Sequence, residues 1–352
     1  MVSGGRTPTQ FGRIRSPDDA WLGNAPTEPV LDPDLPIVDT HHHLWTRGGD
    51  RYLIDEFTAD LATGHTTVAT VFVECHSMYR ADGPVELRPV GETEFVAGQA
   101  AMSASGAYGP ARVAAGIVGY ADLTLGERVE PVLHAHIAAG GGRFRGVRHS
   151  VAWDADPTIG NSRTAPGPHI FATPEFRAGL RVLTKLGLSL DAWQFHPQLP
   201  DTIDLARAHP DANIIVGHCG GPLGYGVYAG KTDEVLAGWK ANIAELARCP
   251  NVSMKLGGMM MRLAAYDYGA LPAPPSSAEL ADYWRPYIET CIERFGADRC
   301  LFESNFPVEK MGIGWVALWN AFKRLTAGAS ADEKRALFSG TARRVYRVND
   351  AS

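Results

Sequence analysis

No stretch of this 352-residue chain approaches the ~18 consecutive apolar residues that a membrane-spanning helix needs. Its first residues, MVSGGRTPTQFGRIRSPDDAW, carry arginines but no apolar h-region, so no secretory leader is expected. Cysteine is scarce. The five residues at 75, 219, 249, 291 and 300 are odd in number and include no C-x-x-C pair, which argues against a disulfide scaffold and a cysteine-only zinc site. Reduced thiols and a cytoplasmic location are the expectation. Clustered basic charge is missing too: 33 Lys and Arg against 39 Asp and Glu leave a net charge of −6, which offers nothing to nucleic acid or an anionic membrane. Three catalytic signatures are also lacking. GYGVYAGKT ends like a phosphate-binding loop, but Tyr225 stands where its first glycine belongs. No G-x-G-x-x-G opens a helix after a strand, and no G-x-S-x-G elbow occurs.

What is present is alternation. Residues 1–36, rich in Pro, Gly, Asp and Arg, have no period and read as an extended arm on the domain surface or on a neighbouring subunit of a possible homo-oligomer. Residues 37–352 then alternate short β-branched runs with longer amphipathic segments. The strand candidates are 37–45, 67–75, 111–122, 144–152, 188–195, 212–220, 251–258 and 299–306. Pro174 and Pro200 mark first helical turns, Gly187 a left-handed helix end, and Ser330 with Glu333 a capping box. Eight strands alternating with helices predict right-handed crossovers and a parallel sheet, closed as a single (β/α)₈ TIM barrel of the α/β class. An open doubly wound sheet is the structural alternative.

The densest polar feature is Asp39-Thr40-His41-His42-His43. Side chains alternate along a strand, so Asp39, His41 and His43 share one face while Thr40 and His42 take the other. Two imidazoles on one face at a strand end suit a divalent metal or a polarised oxygen. A polar strand end with local hydrogen bonds is the plainer reading.

DTHHHLW resembles the first-strand H-x-H motif of the amidohydrolase superfamily, in its amidohydrolase-2 branch, nearest the fuconolactonase and 2-pyrone-4,6-dicarboxylate lactonase group. FRGVRHSV, DAWQFHPQLPDTIDLA, IIVGHCGGPLG, MKLGG, FESNFPVEK and LFSGTARRVY extend the resemblance, in order, over about residues 36–347. It implies that His41, His43 and His218 bind a metal or polarise a substrate carbonyl. His196 falls at a family position that is not always histidine and stays open between ligand, substrate contact and structural residue. The family's last strand usually reads G-S-D-W-P-V, with the aspartate as general base. Here Asn305 takes that place and cannot accept a proton at neutral pH. Glu303 faces the same way two residues deeper, and could be the base or a metal ligand. Glu74 and His196 are the other candidates for the proton.

Arg148 and His149 lie where the family's lactonases place arginines that grip a substrate carboxylate, a task suited to a guanidinium. Glu74, His76, Tyr79 and Arg80 cluster at a strand-to-loop boundary where pocket loops begin. Lys255 is either a carbonyl-polarising cation or a partner for Glu303 or Glu74. Trp153, Trp193 and Tyr225 form either an aromatic substrate wall or core. The resulting expectation is a hydrolase opening a small lactone. His41, His43 and His218 would polarise its carbonyl, with or without a divalent metal, zinc foremost, held by these histidines and Glu303. A decarboxylase or other carbon–carbon lyase on the same barrel, favoured by Asn305, is the alternative, and a non-catalytic ligand-binding barrel the third reading.

Overall fold

All eight expected strand runs appear in a computed structural model, which describes residues 16–160, 162, 166–261, 268 and 271–348. They are β1 (Ile37–His42), β4 (Thr67–Val73), β5 (Arg112–Gly119), β6 (Phe144–Ser150), β7 (Ser189–Trp193), β8 (Asn213–Val216), β9 (Val252–Leu256) and β10 (Cys300–Phe302). They pair in chain order, β1-β4-β5-β6-β7-β8-β9-β10, and every pair is parallel. The strands are buried on both faces, so their sequences read as near-continuous apolar runs. A small antiparallel hairpin, β2 (Trp45–Arg47) and β3 (Asp50–Tyr52), was not expected from the sequence.

Most strands are shorter than the runs that announced them, and the difference falls mainly at their C-terminal ends. There the chain leaves the ladder early, and His43, Glu74, His218, Glu303 and Asn305 all sit just beyond a strand. A rim that bends away from the sheet can aim side chains at one point, which a continuing strand cannot.

Connecting helices supply the outer layer, because parallel strands require a crossover. They include α2 (Ile54–Leu61), α3 (Val90–Ala104), α4 (Glu130–Ala139), α5 (Pro174–Lys185), α6 (Leu199–Ala208), α7 (Thr232–Leu246), α8 (Ser277–Phe295) and α9 (Trp315–Leu325). Their ends follow the sequence signals. Thr173 Oγ1 accepts the Phe176 N–H with Pro174 in the first turn, and Gly187 takes φ +68° after α5. The Ser330–Glu333 capping box opens α10 (Ala331–Arg335). α11 (Thr341–Tyr346) then carries Tyr346 back beneath the barrel, where its hydroxyl donates to Asp191 Oδ2 at 2.6 Å. The described part of the arm, residues 16–36, contains α1 (Asp19–Leu22) and lies against α8 and α9 of its own barrel. Asn320 donates to Pro29 O, and Lys323 Nζ to Leu31 O and Asp32 O.

Closure between β10 and β1 depends on side chains. β10 has three residues, and backbone bonding to β1 resumes only past its end, with Asn305 N–H to His41 O (2.7 Å) and His43 N–H to Phe306 O (2.8 Å). In the gap, Thr40 Oγ1 donates to Phe302 O (2.7 Å), and Asp39 accepts both the Ser304 N–H and its hydroxyl at 2.7 Å. Asp39→Ala would strand two buried donors and is expected to lower the unfolding free energy by about 2–4 kcal/mol. Asp39→Asn, which keeps an acceptor, should cost clearly less; urea denaturation of both variants is the check.

Candidate active site

Alternation along β1 turns Asp39 and His41 toward the strand that carries Glu303, and the rim turn adds His43. Glu303 is completely buried and clasped between two imidazoles. His41 Nδ1–H donates to Oε2 at 2.7 Å, His218 Nδ1–H to Oε1 at 2.6 Å, and the His218 backbone N–H to Oε1 at 3.0 Å. Burial pushes the Glu303 carboxyl up, but His218 and Lys255 outweigh it and hold the group below its ordinary value, as an anion. The clasp requires close packing. Gly258 takes φ +68°, and a Cβ there would lie 2.1 Å from His218 Nδ1. His218 and Asn305 themselves have φ of +52° and +53°, a region non-glycine residues rarely occupy and pay for with about 1–3 kcal/mol each.

The clasp also determines which nitrogens remain basic. His41 has its Nδ1 proton on Glu303, so Nε2 carries a lone pair. His43 donates Nδ1–H to Val73 O at 2.7 Å, so its Nε2 carries one as well. Burial first, and then Lys255 for His41 and Arg148 for His43, hold both rings well below the ordinary histidine value and neutral. These two nitrogens face each other at 3.2 Å, with Arg148 Nη1 3.3 Å from His41 Nε2 and Asn305 Oδ1 3.2 Å from His43 Nε2. Lone pairs so placed repel unless a cation lies between them. Donors bound to zinc at ~2.0–2.1 Å in a tetrahedron sit about 3.3 Å apart, so the spacing fits a divalent ion. His41, His218 and Glu303 also bring ligating atoms within 4.8 Å of one another. Their shortest contacts, however, already carry the histidine protons, which makes Glu303 the group that orients the ligands.

A cavity of about 240 Å³ opens above this floor, lined by His43, Glu74, Arg148, Trp193, His218 and Asn305 together with Trp45, Arg47 and His76. Arg148 Nε donates to Glu74 Oε1 at 2.7 Å, Nη2 donates to Glu74 O, and Nη1 lies 3.3 Å from His41 Nε2. Among the described residues Glu74 Oε2 has no hydrogen-bond partner, and it faces His76 Nε2 at 3.5 Å. Behind it, Glu92 of α3 accepts the backbone N–H groups of Cys75 (3.0 Å) and Ser77 (2.7 Å), shaping the loop after β4.

Of the residues expected to act, His41, His43, His218, Glu303, Asn305, Glu74, Arg148 and Trp193 therefore converge. Five others are corrected. His149 lies behind the barrel wall, accepting the Leu123 N–H at 3.2 Å with its ring against Phe176. His196 accepts the Leu223 N–H at 3.2 Å and packs on Tyr228. Tyr225 donates to Ile159 O at 2.8 Å, away from the cavity lining. Arg80 is exposed and pairs with Glu94. Lys255 lies fully buried below the floor, paired with Asp191 at 2.8 Å and close enough to Glu303 to help hold its carboxyl low. Glu303 lies beneath the cavity with both oxygens hydrogen-bonded, and with His41 and His218 it stays in the group that could hold a metal ion. Trp45 and Arg47 were missed. The signal was there, because residues 39, 41, 43, 45 and 47 continue one alternation from β1 into the hairpin.

Eight parallel strands whose C-terminal rim gathers three imidazoles, two of them clasping a buried carboxylate, define a (β/α)₈ barrel enzyme. An amidohydrolase family model matches residues 38–348, and the chain belongs to that family. An uncharacterised protein of Sinorhizobium fredii, y4mH, is 31% identical over 341 residues, covering 90% of this chain and 99% of that protein. An L-fucono-1,5-lactonase of Burkholderia multivorans is 27% identical over 237 residues, 67% of this chain and 72% of the lactonase. A zinc-bound amidohydrolase from Burkholderia multivorans shares the fold with a TM-score of 0.68 at 24% identity, over 89% of this chain and 99% of its own.

Burial, reinforced by nearby Glu74, pushes the Glu92 carboxyl up from 4.5 to about 8. Between those values the folded protein holds a proton that the unfolded chain has released. The stabilisation is complete below about pH 4.5 and lost as pH rises to about 8. Glu92→Gln, which keeps the acceptor oxygen, should lose less stability than the wild type between about pH 5 and 8, as urea midpoints across that range will show.

Proposed function

We propose that this protein is a hydrolase that opens a small cyclic ester. The carrying observation is the Glu303–His218 pair at the cavity floor. With Nδ1–H committed to the carboxylate, His218 keeps Nε2 as a base, and Glu303 stabilises the imidazolium formed when His218 takes a proton from water. The same imidazolium then returns its proton to the ring oxygen as the ester bond breaks, so one residue serves both transfers. Water activation by a carboxylate thus becomes indirect: Glu303 acts through His218. Asn305, with no proton affinity, is not asked to be the base.

His41 and His43, with the Asn305 carbonyl oxygen, would hold a divalent ion, zinc foremost, which when bound supplies Lewis-acid polarisation of the ester carbonyl. Replacing the aspartate of the family pattern by Asn305 leaves this donor set without its own negative charge, and Glu303 behind His41 provides the nearest one. Arg148, held by Glu74, places a fixed positive charge 3.3 Å from His41 Nε2, on the side where the carbonyl oxygen gains charge. The resemblance to an L-fucono-1,5-lactonase supports an ester ring as substrate.

Purified protein should acidify solutions of 1,4- or 1,5-lactones, followed with a pH indicator. His218→Asn should lower kcat by about 10³-fold or more, and Glu303→Gln by about 10²- to 10⁴-fold, with the fold retained. Release of CO₂ from an aromatic acid without lactone opening would replace this reading with that of a lyase. A folded, metal-replete protein inert to every lactone would end it.

A further inference from the structure

The guanidinium expected to grip a substrate carboxylate, that of Arg148, is already engaged. Two of its nitrogens donate to the Glu74 side chain and backbone, and the third faces His41. The charges of Arg148 and Glu74 cancel. Among the described residues one cationic side chain of the lining remains, and it comes from the hairpin.

Arg47 ends β2 and lies half-buried at the cavity wall. Its guanidinium carbon is 4.4 Å from the centre of the Trp45 ring, whose centre is 5.8 Å from that of His43, the planes 21° apart. The guanidinium is thus no farther from the His43 ring than the sum of those two distances. Trp45 is fixed in turn by its Nε1–H to Asp50 Oδ2 (3.3 Å), so the stack is held before any ligand arrives. Arg47 Nη2 is buried without a hydrogen-bond partner among the described residues. Among the described residues no carboxylate lies within 4.0 Å of this guanidinium. The thiol beside it, Cys75, hydrogen-bonds the guanidinium but brings no charge to it, because burial pushes the thiol well above its ordinary value. A buried N–H of a charged group without an acceptor is costly, and a planar fork of such donors matches a carboxylate edge on.

We infer that Arg47 is the carboxylate-binding residue of this cavity. The substrate is then a small ring compound bearing a carboxylate, its reactive carbonyl at the His43 end and its anion against the guanidinium stacked on Trp45. That it is a lactone rests on the hydrolase reading above; that it is an anion does not. Arg47 is a specificity residue, reading charge at a distance from the reacting bond.

Two probe pairs separate these statements. Benzoate and benzamide have nearly one shape and differ in charge, and neither is an ester. By calorimetry the wild type should bind benzoate about 10- to 100-fold more tightly than benzamide. Arg47→Met should remove that preference, and Arg47→Lys, which keeps the charge without the fork, should retain part of it. D-glucaro-1,4-lactone and D-glucono-1,4-lactone form the second pair, differing in a carboxylate against a hydroxymethyl group. Arg47→Met should raise KM for the first by about 10- to 100-fold, with kcat changed less than about threefold and the second unaffected. Loss of the benzoate preference in a protein that opens neither lactone would sink the hydrolase reading and leave the anion site standing. A wild type with no preference for benzoate, or a preference that survives in Arg47→Met, overturns the inference.

Discussion

A buried carboxylate held between two imidazoles organises this protein. Glu303 has no exposed surface, and three N–H groups from His41 and His218 converge on its two oxygens. An anion so deep in a barrel would be untenable without such donors, since isolated buried charge is among the most expensive features a fold can contain. The donors in turn lose their rotational freedom and their choice of tautomer. The basic nitrogens of His41 and His218 are therefore decided below the cavity, by a fully buried residue. Lys255 and Asp191, one layer deeper, extend the alternation of charge, and Tyr346 ties that layer to the C-terminal helix.

The same region is where the barrel closes. β10 is too short to complete a ladder with β1, and Asp39, Thr40 and Ser304 bridge the gap with side-chain bonds. Closure and catalysis thus share one seam: Asp39 faces Ser304 two residues before His41, and Asn305 bonds the His41 carbonyl. The left-handed backbone at His218 and Asn305 is tolerable there because backbone and side-chain bonds over-determine both positions. The hydrogen bonds that position the histidines share residues with those that keep the sheet closed.

Above the floor the cavity is polarised in two steps. Near the reacting end, Arg148 is neutralised by Glu74, whose loop is shaped by Glu92 from the outer layer. Farther out, Arg47 stacks on Trp45, with no carboxylate of its own among the described residues. One guanidinium belongs to the protein's internal balance, and the other waits on a ligand. Sequence position does not distinguish them, since both are arginines close to strand ends.

Local chemistry alone determined a good deal. Eight apolar runs separated by amphipathic segments can bury their backbone only as a parallel sheet covered by helices, so the barrel was readable from periodicity. His41 and His43 were readable from strand alternation, as the capping box at Ser330 and the left-handed Gly187 were from turn chemistry. His218 and the departure at Asn305 were legible through resemblance to a family. What tertiary structure decided was which groups meet. Whether Glu303 faces water or two histidines depends on His218, 85 positions away in the chain. Whether Arg148 is free depends on Glu74, 74 positions away. His149 and His196 have the chemistry of ligands, but each was turned into the surrounding shell, where it satisfies a backbone N–H. Residue type sets what a side chain can do, and only the three-dimensional neighbourhood, through burial and the partners it supplies, sets what the side chain is left free to do.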